Sequence, residues 1–144
     1  MPALLKNILN KLKTEKSVVE LQGLSGSSKA LVLSILSQIQ EQPAEKNIPL
    51  VVVCESFDVA EVLLNDLYYF LGKEGVHFFP FWDVLPYDNF SPHKALVAQR
   101  FQTLNALLSE EIRVLITTPN ALMQRFLPRV TFQKNTISLC PESA

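Results

Sequence analysis

Residues 23–30 read Gly-Leu-Ser-Gly-Ser-Ser-Lys-Ala, behind the β-branched pair Val18-Val19 and ahead of a helical pattern. Glycines three apart followed by a lysine at a helix start are the layout of a phosphate-binding loop, G-x-x-G-x-G-K and then Ser or Thr. In such a loop the glycines let backbone N–H groups close around phosphate oxygens. The lysine adds charge, and the hydroxyl after it ligates Mg²⁺. Gly23, Gly26 and Lys29 stand in place, with Ser27 at a free position, but Ser28 replaces the glycine before the lysine and Ala30 replaces the hydroxyl. The pattern predicts a nucleotide-binding fold whose loop has lost its cofactor. Lys29 at a helix N-terminus keeps some attraction for an anion. A relic loop ranks ahead of a weak phosphate site, and both rank ahead of an active ATPase.

The elements that would position this loop alternate. Residues 17–21 read as a strand, and 27–40 as a helix with Leu31, Ile35 and Ile39 on one face and Val32 and Leu36 beside them. Residues 50–54 form an unbroken apolar run, the mark of a strand covered on both faces. Ser56 suits the N-cap of a helix over 57–71 whose stripe is Val59, Leu63, Leu67 and Phe70, and Gly72 suits its end. A short strand over 76–79 leads into an irregular, aromatic stretch. Ser91 and Pro92 open a helix reaching about Ser109, with Val97, Phe101, Leu104 and Leu108 as its buried stripe. Residues 113–118 read as a buried strand and 120–126 as a short helix ended before Pro128. Residues 136–139 read as a last strand or an exit from the domain. This alternation predicts an α/β fold: three layers, a parallel sheet with helices on both faces, as in P-loop NTPases and RecA-like helicase domains. Ligands of such sheets sit beyond the carboxyl ends of the strands, which gathers residues 23–29, Glu55, 81–90 and 117–119 along one edge.

Other candidate chemistry is weaker. Phe78, Phe79, Phe81, Trp82, Tyr87 and Phe90 suggest a stacking platform for single-stranded nucleic acid, but only Lys94 and Arg100 are near, while Asp83 and Asp88 add negative charge. Packing against the sheet edge is the plainer role. His77 and His93 have no Cys or carboxylate at ligand spacing, so no metal site is expected, and Asp88 with His93 reads as a local turn contact. Arg100 and Arg125 are the exposed cations expected to meet a partner or another domain. No Ser-His-Asp or Cys-His set can be assembled.

The bulk numbers fit one globular domain: 144 residues, 48% hydrophobic and 19% charged. A net charge of −1 argues against a strongly basic nucleic-acid module. Cys54 and Cys140 are far apart, and Cys54 sits in the apolar run, as a structural thiol would in a reducing cytoplasm. No apolar run approaches the ~20 residues of a membrane helix. Residues 1–16 carry Leu5, Ile8, Leu9 and Leu12 between lysines, an amphipathic helix expected to pack on the domain edge.

Residues 82–100, WDVLPYDNFSPHKALVAQR, and 115–125, LITTPNALMQR, together with the altered loop, resemble the transcription-repair coupling factors of bacteria. The resemblance covers about residues 17–130, and its first segment is the most specific part. It implies an N-terminal piece of a far longer protein, the unit similar to the excision-repair helicase UvrB, with 131–144 opening an inserted UvrA-binding domain or forming a loose end. In that family the full protein is an ATP-dependent DNA translocase that displaces stalled RNA polymerase and recruits UvrA, using ATP and Mg²⁺ in a downstream motor. UvrB-like ATPases carry a Gly-Asp-Gln adenine reader ahead of the loop, absent from residues 1–16. They also carry a long tyrosine-rich hairpin, for which residues 80–91 leave no room. The implied role is a non-catalytic scaffold, cytoplasmic, docking on other domains of its own chain. The rivals are an active P-loop ATPase or UvrB-like helicase, and a passive single-stranded nucleic-acid-binding module.

Overall fold

A computed structural model describes residues 18–39, 48–84 and 90–136. Its sheet has three parallel strands: β1 (Leu50–Val53), β2 (Val76–Phe79) and β3 (Val114–Thr117). The order is β1-β3-β2, with Leu50 and Val76 both level with Val114. Parallel neighbours need helical crossovers, which α2 (Phe57–Leu71) and α3 (Lys94–Leu108) provide. The expected α/β alternation is present.

Alternate strand residues feed two cores. Val76, Phe78, Val114 and Ile116 pack with Ala60, Leu63 and Leu67 of α2 and with Ala30 of α1 (Ser28–Ile39). Phe79 and Leu115 pack with Ala106 of α3, with Ile112, and with Ala121 of α4 (Pro119–Met123). The helices therefore cover opposite faces, and β3, buried along its whole length, carries both cores.

Local signals set the ends of α2. Ser56 is its N-cap, its hydroxyl accepting from the Val59 amide at 3.3 Å, and Gly72 closes it at φ 80°, donating back to Tyr68. The start of α3 differs from expectation. His93, not Ser91, caps it, with Nδ1 accepting from the Ala95 amide at 3.3 Å, and the His93 amide reaches Asp83 at 3.4 Å. The expected partner of His93, Asp88, lies outside the described residues.

Three further expectations are corrected. Residues 18–25 carry no regular structure, and Val18 is 97% exposed, so 18–21 form no strand. A strand needs a ladder partner, and among the described residues the outer edge of β1 has none. That strand is also not covered on both faces, since Val51 and Val53 are 50% and 52% exposed. The burying faces of α1 and α3 are rotated. They present Ala30, Ser34 and Ser37, and Arg100, Thr103 and Ala106, while Leu31 and Phe101 stay exposed. Beyond these, residues 129–135 form helix α5 (Arg129–Asn135). The candidate last strand falls mostly outside the described residues. No helix among the described residues is long and apolar enough to cross a membrane.

Candidate functional site

The Gly23–Lys29 loop sits where an open α/β sheet would place it, turning into α1 beside the carboxyl end of β1. Gly23 and Gly26 take φ of 78° and 53°, values open to glycine at no steric cost. The loop folds onto itself. The Ser28 amide donates to the Ser25 carbonyl at 3.2 Å, and the Ser28 hydroxyl donates to the same oxygen at 2.6 Å. That amide, which a phosphate loop would aim at its ligand, is thereby committed inside the turn. Ala30 is 0% exposed and lies in the core with Cys54 and Ala60, so its side chain packs among apolar groups.

Lys29 is exposed and lines two adjoining hollows. One, of about 290 Å³, also carries Asp58 and Asp66, and the other, of about 450 Å³, carries Cys54 and Glu55. Carboxylates thus share the space with the lysine that an anion would use. Burial pushes the Cys54 thiol up; nearby Lys29 lowers it and Glu55 raises it, leaving a protonated, structural sulfhydryl.

The second set of sequence candidates converges on the opposite face. Arg100, expected to be exposed, is 2% exposed. Its Nη1 donates to the Pro80 carbonyl at 2.5 Å and to Gln124 Oε1 at 3.1 Å, while its guanidinium lies 4.2 Å from the Phe79 ring centre and 4.4 Å from that of Trp82. Gln124 Oε1 also accepts from the Trp82 amide at 2.8 Å. This residue was missed in the sequence, because nothing local marks a glutamine that bridges positions 42 apart. Arg125 is exposed, as expected, and shares a hollow of about 320 Å³ with Arg100 and Trp82. Arg100 and Gln124 therefore tie residues 82–100 to residues 115–125.

These are the two segments that resemble the coupling factors of bacteria. The chain is 33% identical to the transcription-repair-coupling factor of Myxococcus xanthus over 117 residues, 76% of this chain and 9% of that protein. It is 31% identical to the Haemophilus influenzae factor over 102 residues, 71% of this chain and 9% of the relative. With the Escherichia coli factor the identity is 47% over 47 residues, 33% of this chain and 4% of the relative. The chain belongs to the transcription-repair-coupling factors. It spans under a tenth of the length of these relatives. No protein-family profile matches it.

In this coupling-factor chain the remaining candidates are dispersed. Phe78 and Phe79 are buried, Phe81 and Trp82 half-buried, and Phe90 exposed, so the aromatics form no single face, while Tyr87 lies outside the described residues. Among the described residues no three His, Cys, Asp or Glu side chains cluster for a metal. Burial lowers the His77 pKa, with Glu111 opposing, as expected of a structural imidazole.

Proposed function

We propose that this chain is a non-catalytic, scaffolding α/β unit of a transcription-repair-coupling factor, built on a relic of the P-loop helicase fold. The observation that carries the reading is Ala30: the position that must offer a hydroxyl to Mg²⁺ is a side chain sealed in the core. The Ser28–Ser25 closure and the carboxylates beside Lys29 support it, since each removes something a nucleotide phosphate requires. On this reading no cofactor binds here. ATP and Mg²⁺ belong to a motor elsewhere in the full protein, an ATP-dependent DNA translocase acting on stalled RNA polymerase. Residues 17–130 form the UvrB-like unit and support recruitment of UvrA through an insert that follows.

Calorimetric titration with ATP, with and without Mg²⁺, tests the relic loop. The expected result is no saturable heat for either the native chain or Lys29→Ala. Saturable binding abolished by Lys29→Ala would replace the scaffold with a nucleotide-sensing site. The scaffolding role is tested separately, by pull-down of UvrA with the chain extended through the insert. Failure to capture it would remove that role while leaving the relic loop standing.

A further inference from the structure

On the face of the sheet away from the loop, α3, Trp82 and residues 125–127 enclose the hollow of about 320 Å³. We propose that this groove binds an acidic, apolar segment of a separate partner protein, with a Leu- or Phe-type side chain in the hollow and a flanking carboxylate on Arg125. Four observations converge. The walls are Trp82, Phe101, Leu104, Phe126 and Leu127, and Phe126 and Phe101 are 58% and 43% exposed, so two large rings stand open in the groove. The charge is one-sided: Arg100 and Arg125 line the groove, and among the described residues no carboxylate does. Arg100, although buried, has its Nη2 without an acceptor among the described residues, so its charge is incompletely answered by the chain itself. Residues 90–136 hold six Lys and Arg against two Glu, whereas the rest of the chain holds seven against twelve acidic residues, so the positive potential belongs to this segment.

A polypeptide fits better than a nucleic acid. A phosphate backbone needs a track of exposed cations, but here one arginine is buried, the other stands at the rim, and the walls are apolar. A carboxylate beside an apolar side chain matches a rim guanidinium beside an apolar hollow, with a bidentate pair available to Arg125. The groove shares no residue with the Gly23–Lys29 loop, so ATP binding or its absence leaves this inference untouched.

Trp82, the chain's single tryptophan, lies in the groove and reports directly on occupancy. The 144-residue chain is titrated with a synthetic peptide alternating Leu or Phe with pairs of Glu, with a matched peptide bearing Lys in place of Glu, and with oligothymidine. The acidic peptide is expected to shift Trp82 emission saturably, with a Kd on the order of 10 µM. Arg125→Glu and Phe126→Ser, both at exposed positions, are expected to keep the thermal midpoint and weaken binding at least tenfold. Several results would overturn the proposal: no saturable shift, equal binding of the Lys peptide, or equal affinity in both variants. Tighter binding of oligothymidine would make the surface a nucleic-acid site. Self-association lost in Arg125→Glu would make its occupant a second copy.

Discussion

At the scale of single residues, two side chains of unpromising type do the most to define this chain. Ala30 removes a metal ligand and fills the core in the same stroke, so restoring the hydroxyl alone does not rebuild a site. Ala30→Thr is expected to lose about 1–3 kcal/mol by overpacking and to gain no Mg²⁺-dependent ATP binding; urea melts and calorimetry check the two halves. Arg100 is the converse case, a charge inside the core held by the Pro80 carbonyl, Gln124 and two ring faces. Replacing it strands the Pro80 oxygen as well as leaving a void. Arg100→Met is therefore expected to cost about 3 kcal/mol in a urea melt, several times the effect of Arg125→Met at the surface. Equal costs for the two would mean that the guanidinium is held no more firmly inside than out.

At the scale of elements, much of the order was legible, because strands 50–53, 76–79 and 114–117 are short apolar runs and α2 carries both of its end signals in plain view. What the sequence concealed is which way α1 and α3 turn. Apolar stripes pointed to Leu31, Ile35 and Ile39, with Val32 and Leu36 beside them, and to Val97, Phe101, Leu104 and Leu108. The helices instead bury Ala30, Ser34 and Ser37, and Arg100, Thr103 and Ala106. Each buried hydroxyl brings its own acceptor: Ser34 donates to Leu31 at 2.8 Å, Ser37 to Ser34 at 2.9 Å, and Thr103 to Gln99 at 2.9 Å and Phe78 at 3.2 Å. Small, internally satisfied residues allow close packing without orphaned groups, which no hydrophobicity pattern records. The loop was readable residue by residue. The Arg100–Gln124 contact was not, because it exists only once three elements meet. Strand β2 carries a pH dependence of its own. Burial lowers the His77 pKa, with Glu111 opposing and Lys73 lining the same hollow, so the unfolded chain takes up the proton first. Stability should hold above about pH 6.5, fall as pH drops below it, and level off beneath the folded-state value. Thermal midpoints from pH 7.5 to 5.5 should show that decline in the native chain and a flatter one in His77→Gln. Parallel curves would assign the slope elsewhere.

At the scale of the whole molecule, β1 and β2 are the edge strands of the sheet, and among the described residues the outer edge of β1 has no ladder partner. The amides of Leu50 and Cys54 donate to Arg113 and Thr117 at 2.8 Å each, so the even-numbered residues of β1 face β3. In a parallel ladder the odd-numbered ones then turn their N–H and C=O groups to the outer edge. Val51 and Val53 are therefore exposed twice, by backbone at the edge and by side chain on the face that α3 leaves uncovered over β1. An edge with apolar side chains and unpaired backbone groups is a template for another strand. The isolated chain should accordingly associate through β1 as its concentration rises, independently of the groove beside Arg125. Val53→Lys places a charge on that edge at a half-exposed position. It is expected to change monomer stability by no more than about 0.5 kcal/mol and to hold the chain monomeric at concentrations where the native form sediments as larger species. If association persists in Val53→Lys but disappears in Arg125→Glu, the open edge is not the adhesive surface. If Val53→Lys unfolds the chain, Val53 contributes to the monomer core more than its exposure indicates, and the sheet is closed on that side by something other than solvent.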